Sequence, residues 1–225
     1  MGWIRKLFGS RTSRTYEIED PRPQLKLAPY TFFLPSKIEL AHVGLNDLVK
    51  LTISGIPQGE KWVAERMWVR VAQRNQNKLS GELANVPDDT PSLTVGSNIE
   101  FDDFAILDIV WAKPEMAPAS VVGRQYWDRC LVDQSVLDGV EKVGYIYREE
   151  PEPGSKTDIY RDSGWRVRSE QGGFVNTEAD GSSVSYVALG AVLNKDDSWL
   201  HLIDASVGSR FLRDSVTGQF QQLSV

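Results

Sequence analysis

The sequence predicts an α+β chain: a small, strongly bent β-sheet or partly open barrel, followed by an α+β domain with one main helix. Three observations carry that prediction. Apolar residues of the first half recur with a period of two, the second half mixes that period with one stretch of helical spacing, and the run Lys113-Pro114-Glu115-Met116-Ala117-Pro118 interrupts the pattern between them. The expected organisation is a basic arm and proline-rich linker over 1–35, a β-rich domain over 36–118 and an α+β domain over 119–225. At 225 residues and 41% hydrophobic content, the chain can bury a core in each of the two larger segments.

In residues 1–14, Trp3, Ile4, Leu7 and Phe8 share one helical face while Arg5, Lys6, Arg11 and Arg14 supply positive charge, the pattern of a surface helix or docking arm. A helix of about eight residues, with about 1 kcal/mol per basic residue, makes only weak contact with a membrane surface. Lys6 also stands where an N-myristoylation signal has Ser or Thr. A basic tail that is disordered or folded back on the body is the plainer reading. Pro21, Pro23, Pro29 and Pro35 then mark an extended linker. Val49, Leu51 and Ile53 form one strand face and Met67, Val69 and Val71 another, and the turn Asn75-Gln76-Asn77 joins 66–74 to 78–84 as a hairpin. The turn Val95-Gly96-Ser97-Asn98 leads into Ile99 and Phe101, and the apolar run 106–111 closes the first domain.

In the second domain, Val143, Tyr145 and Tyr147 share a strand face, and a strand over 165–168 is entered through the turn Asp162-Ser163-Gly164. Val184, Val187, Ala188, Ala191 and Val192 follow helical spacing, with Ser182 or Ser183 as N-cap and Asn194 as the stop. Gly190 weakens that helix by about 1 kcal/mol relative to Ala. Leu200, Leu202, Phe211 and Phe220 suit closing strands, with turns at Val207-Gly208-Ser209 and Thr217-Gly218-Gln219.

Composition narrows the function. With 25 Lys and Arg against 31 Asp and Glu, the net charge of −6 disfavours nucleic acid as the main partner. A single Cys precludes an intramolecular disulfide and a multi-cysteine zinc site. The sequence holds no His-Glu-x-x-His helix, no Gly-x-Gly-x-x-Gly turn and no phosphate loop, since Gly154-Ser155-Lys156-Thr157 lacks the Gly before Lys. No catalytic residue, metal or cofactor is therefore assigned. Cys130 reads as a small buried apolar residue, and His42 and His201 as structural. With no apolar run near the roughly 20 residues of a membrane span, a cytoplasmic protein is expected. The adjacent pairs Asp88-Asp89 and Asp102-Asp103 read as solvated turns. The denser cluster is Glu149-Glu150-Pro151-Glu152 with Asp158 and Asp162 nearby, in a loop of about a dozen residues, long enough to suspect a role.

Two resemblances rest on particular runs. Cys130-Leu131-Val132, Lys142-Val143-Gly144-Tyr145-Ile146-Tyr147-Arg148-Glu149-Glu150-Pro151, Asp162-Ser163-Gly164-Trp165-Arg166 and Val207-Gly208-Ser209-Arg210-Phe211, with Arg213-Asp214 and Gly218, resemble the bacterial immunity-protein family numbered thirty-three. The likeness spans about 128–222 and departs from the family pattern at Ser169-Glu170-Gln171-Gly172-Gly173. The first domain is similar to an uncharacterised bacterial domain family through Glu65-Arg66-Met67-Trp68-Val69-Arg70-Val71, Leu79-Ser80-Gly81-Glu82-Leu83-Ala84-Asn85 and Val95-Gly96-Ser97-Asn98-Ile99-Glu100-Phe101. The first resemblance implies an α+β protein of polymorphic-toxin loci that binds and neutralises or regulates a protein partner, a toxin among the candidates, without chemistry of its own.

On that expectation Arg148, Glu149, Glu150, Glu152 and Asp158 form a partner-binding surface, while Asp162, Ser163, Gly164, Trp165 and Arg166 form a structural motif. Two other classes stay open. The first domain can be a small-barrel reader of ligand or nucleic acid, with Trp62, Trp68, Arg66 and Arg70 on one face. The loop from Glu149 to Asp162 can belong to an enzyme, the weakest of the three readings.

Overall fold

A computed structural model describes residues 15–120, 123–154, 159–170 and 183–224. The basic block 1–14, Asp158, the N-cap candidate Ser182 and residues 171–173 lie outside them. The chain divides into two compact units: residues up to Pro23 with Leu34–Val121, and Gln24–Phe33 with the chain from Val122 onward.

In the first unit, strand β1 (Tyr16–Ile18) precedes the short helices α1 (Arg22–Leu27), whose last residues pass into the second unit, and α2 (Lys37–His42). Helix α2 starts at a capping box, with the Glu39 N–H donating to Ser36 Oγ and the Ser36 N–H to Glu39 Oε2. Strands β2 (Leu48–Gly55), β3 (Glu65–Asn75), β4 (Lys78–Leu83), β5 (Asn98–Asp102) and β6 (Asp108–Val110) complete a bent, barrel-like antiparallel sheet. Its order is β1-β2-β3-β4-β5, and β6 pairs with β2 beside β1. β1 covers Ile53–Gly55 of β2 and β6 covers Leu48–Lys50, so one edge of β2 is shared by two short strands. Alternation is strict in β2, where Val49, Leu51 and Ile53 are buried with Met67, Val69, Ile99 and Phe101 from the neighbouring strands. The predicted hairpin forms around Gln76, which takes φ 56. Gly81 lets β4 approach β3 closely, since a Cβ there would stand 2.2 Å from the Arg70 carbonyl oxygen.

The second unit is a mixed sheet of β7 (Arg129–Asp133), β8 (Val143–Arg148), β9 (Asp162–Ser169), β10 (Val184–Ala188), β11 (Arg210–Arg213) and β12 (Phe220–Gln222). Its order is β10-β7-β9-β8-β11-β12, with β7 and β9 parallel and every other pair antiparallel. β9 lies inside the sheet and is buried along nearly its whole length, as expected of a strand covered on both faces. Helices α3 (Gln134–Leu137) and α4 (Leu189–Leu193) bring Val136, Leu189, Val192 and Leu193 against Cys130, Val132, Ile146, Trp165 and Val167.

Three expectations are corrected. The one main helix expected over 184–192 is strand β10 followed by the five-residue α4. Val184, Tyr186 and Val187 are strand formers, and the open edge of β7 supplies their backbone with partners that a helix would have had to find internally. The turn Asp162-Ser163-Gly164 lies inside β9 as a bulge, where three residues of β9 oppose Cys130 alone of β7. Leu200 and Leu202 belong to a 3-10 turn, Leu200–Leu202, and not to a closing strand. Asn194 does stop α4, and its side chain accepts the Tyr30 N–H at 2.9 Å and donates to Thr31 Oγ1 at 2.6 Å.

Candidate functional site

The residues singled out in the second unit converge where β8 ends beside the bulge of β9. Gly164 takes φ 79 there, and a Cβ would sit 2.1 Å from the Glu149 carbonyl oxygen, so only Gly lets the two strands meet. The Glu149 N–H donates to the Gly164 carbonyl at 3.0 Å. Arg148 Nε donates to the Ser163 carbonyl at 3.0 Å and its Nη1 to the Ala205 carbonyl at 2.7 Å. Its guanidinium lies 5.7 Å from the centre of the Trp165 ring. The Arg148 backbone also exchanges hydrogen bonds with the turn Val207-Gly208-Ser209, through Ser209 O at 2.9 Å and the Gly208 N–H at 2.7 Å.

Below this junction lies a buried ion pair. Arg166 is 2% exposed and grips Asp162 with two parallel bonds of 3.0 and 2.9 Å, while its Nε donates to Glu149 Oε1. Asp162 also accepts the Glu152 and Gly164 N–H groups. Burial by itself would raise the Asp162 pKa, but the Arg166 hydrogen bond and the two backbone donors outweigh it and hold the carboxyl below its ordinary value. Ser163 Oγ donates to the Arg129 carbonyl at 2.6 Å, and Trp165 Nε1 to the Ile203 carbonyl at 3.1 Å. Asp162, Ser163, Gly164, Trp165 and Arg166 are thus an internal brace, and Arg148 is held by backbone carbonyls.

What the brace leaves in solvent is acidic. Glu149 keeps half of its side chain exposed despite its bond to Arg166, and Glu150 and Glu152 are exposed. At the same end of β9 is an aromatic group that pattern reading missed. Trp127 meets Phe33 edge-on at 5.9 Å and Tyr160 at 5.8 Å, and the Arg129 guanidinium stands 5.7 Å from the Tyr160 ring centre. Phe33 is 40% exposed and Tyr160 37%. Phe33 stands more than ninety residues before Trp127, and Trp127 more than thirty before Tyr160, so no local period links them; the available signal was only the aromatic content of the loop ends.

Other candidates resolve simply. Burial pushes the Cys130 thiol up to about 12, as suits a core residue. His42 Nδ1 lies 2.7 Å from the Ile38 carbonyl, and His201 is exposed in the 3-10 turn. Asp102 and Asp103 are not a solvated turn: Asp102 ends β5 and pairs with Lys78, and Asp103 opens a 3-10 turn and pairs with Arg74. Asp89 is more than a solvated turn: it accepts the backbone N–H groups of Glu60, Lys61 and Trp62, chiefly that of Trp62, which lowers its pKa. Trp68, Arg66 and Arg70 do point outward from β3, with Lys50 over the Trp68 ring, whereas Trp62 donates to Asp88. Among the described residues, no helix is long and apolar enough to cross a membrane.

The brace, the bulge and the turn at Gly208 draw on three of the runs that carried the first resemblance, at 148–149, 162–166 and 208–209. Residues 130–224 match the Immunity protein Imm33 domain. The Imm33 match begins at the first buried residue of β7 and runs past β12, so it covers the whole sheet of the second unit. Residues 40–118 match a second family, described as Uncharacterized protein conserved in bacteria (DUF2314), which covers β2 to β6. No curated protein and no solved structure matches the chain.

Proposed function

We propose that the protein is an immunity-like protein that acts by binding a protein partner, a polymorphic toxin being the partner class, and that it neutralises or regulates that partner without turnover. The Imm33 match over 130–224 carries this reading. The geometry supports a recognition surface at the Asp162 end of β9. There Glu150 and Glu152 present carboxylates from a segment whose start is pinned to Gly164, and Trp127 and Tyr160 present half-buried rings from the adjoining strand end. Aromatic anchors beside charges of one sign suit a basic, concave partner surface, the charges raising the association rate and the rings the lifetime of the complex. The site of action that fits this role is the cytoplasm.

The test is co-expression with each toxin encoded nearby, followed by copurification. Protection and a stoichiometric complex are expected, and Trp127→Ala or Glu150→Lys with Glu152→Lys should weaken the complex tenfold or more without moving the melting temperature. Failure of every toxin to be neutralised or bound would end the reading, as would turnover of a substrate by the purified protein.

A further inference from the structure

The first unit carries a feature that the brace and the acidic loop do not involve. Between β1 and β5 its sheet stays open, and a cleft of about 540 Å³ lies along the seam, lined by Tyr16, Glu17, Lys78, Glu100, Asp102 and Phe104 among others. Among the described residues, no strand pairs with the outer backbone edge of either strand bordering it. The bonds from Leu83 N to Ser97 O and from Asp103 N to Asn77 O show that the odd-numbered residues of β5 pair with β4, so Asn98, Glu100 and Asp102 direct their backbone groups away from it. On β1, the bonds from Ile56 N to Thr15 O and from Glu19 N to Thr52 O leave Tyr16 and Ile18 directed away from β2. One side chain crosses the gap: the Glu100 N–H donates to the Tyr16 hydroxyl at 2.7 Å. A phenol there does what a neighbouring strand's carbonyl does elsewhere in the sheet.

We propose that the seam between β1 and β5 is a docking site for an extended peptide segment of a partner protein, one bearing Lys or Arg, which enters as an added strand. The five-residue edge of β5 spans about 17 Å, enough for a short ladder of main-chain bonds. Charge chooses the occupant. Lys78 is engaged by Asp102 at 2.8 Å, and Glu17 and Glu100 make no ion pair among the described residues, so the lining is acidic. That field repels a phosphate backbone and attracts a basic side chain, and the Phe104 ring in the lining already carries a guanidinium, that of Arg22, 3.8 Å from its centre. A small polyamine would meet the carboxylates but leave the strand edge unpaired. The inference concerns the first unit alone and stands whether or not the second binds a toxin.

The probe is a dye-labelled Val-Lys-Val-Lys-Val-Lys peptide titrated into the full chain, with amide hydrogen exchange followed at Glu100 and Asp102. Saturable binding, slowed exchange at those amides, and a loss of tenfold or more in affinity in Glu17→Lys with Glu100→Lys at unchanged melting temperature are expected. Equal binding of Val-Glu-Val-Glu-Val-Glu, or of a peptide with Pro at alternate positions, would overturn the proposal. So would loss of binding in Glu150→Lys with Glu152→Lys, which would move the site to the second unit. Binding seen only after residues 1–14 are removed would assign the seam to the chain's own first segment and dismiss an external partner.

Discussion

Arg166 is nearly inaccessible to solvent, and a guanidinium taken out of water is tolerable only because Asp162 and Glu149 meet it. Asp162→Ala should cost about 3–5 kcal/mol in a denaturant melt, since it leaves a buried cation half paired. Asp162→Leu combined with Arg166→Met should restore most of that loss, because neither charge is then stranded. Acid has a related effect. The Asp162 and Asp196 carboxyls are held below their ordinary 3.8; burial would raise both, but Arg166 and backbone donors overcome it for Asp162, and Ser198, the Val143 N–H and Arg213 for Asp196. A lowered folded pKa gives stability that is complete above 3.8 and lost as pH falls beneath it. Melting temperature should therefore drop steeply below pH 4, and less so in Asp162→Asn. Cys130 behaves oppositely. Its thiol is raised from 9.0 to about 12, so folding resists thiolate formation and stability falls above pH 9 by up to about 1.4 kcal/mol per pH unit. Iodoacetamide at pH 8 should leave Cys130 unmodified in the native protein and alkylate it in urea; alkylation without unfolding would contradict its burial.

At the scale of elements, α4 shows how a local rule can reverse. Helix propensity alone makes Gly190→Ala stabilising by about 1 kcal/mol. In the structure a Cβ at 190 would stand 2.5 Å from the Tyr30 carbonyl oxygen and 3.0 Å from Thr31 Cγ2. Gly190→Ala should thus lower the melting temperature, and a rise would show that the 24–33 segment gives way easily. Helix α2 is the converse case. Its Ser36-x-x-Glu39 signature stood at the very start of the segment read as β-rich, just past the proline-rich linker, and the box is complete. Ser36→Ala should cost about 1 kcal/mol. The bulge in β9 looked like a turn because Asp-Ser-Gly is turn chemistry; in place, the same left-handed Gly and the same Asp bonding to the N–H two residues on are used inside a strand.

For the whole molecule, the chain enters the first unit, contributes Gln24–Phe33 to the second, returns, and then builds the second sheet. Tyr30 and Thr31 hold Asn194, and the Tyr30 hydroxyl donates to Asp197 at 2.7 Å. Thr31→Ala and Asn194→Ala, which remove the two ends of the Asn194 Nδ2 to Thr31 Oγ1 bond, should destabilise the full chain by amounts that fail to add, with a coupling of about 0.5–3 kcal/mol in a double-mutant cycle. Additive losses would mean that the contact contributes nothing.

Strand positions were legible in the sequence wherever one face is buried and the other solvated, as in β2 and β3, because a period of two follows from the pleat alone. The Imm33 likeness and the acidic loop were legible too, since both rest on contiguous runs. Tertiary structure decided the rest. Whether 184–188 became strand or helix depended on an unpaired edge of β7 some fifty residues earlier in the chain, the aromatic group of Phe33, Trp127 and Tyr160 exists only by long-range approach, and the open seam follows from which backbone edges go unpaired. Spacing along a chain sets which side chains can share a face; hydrogen-bond partners distant in sequence determine which backbone that face belongs to.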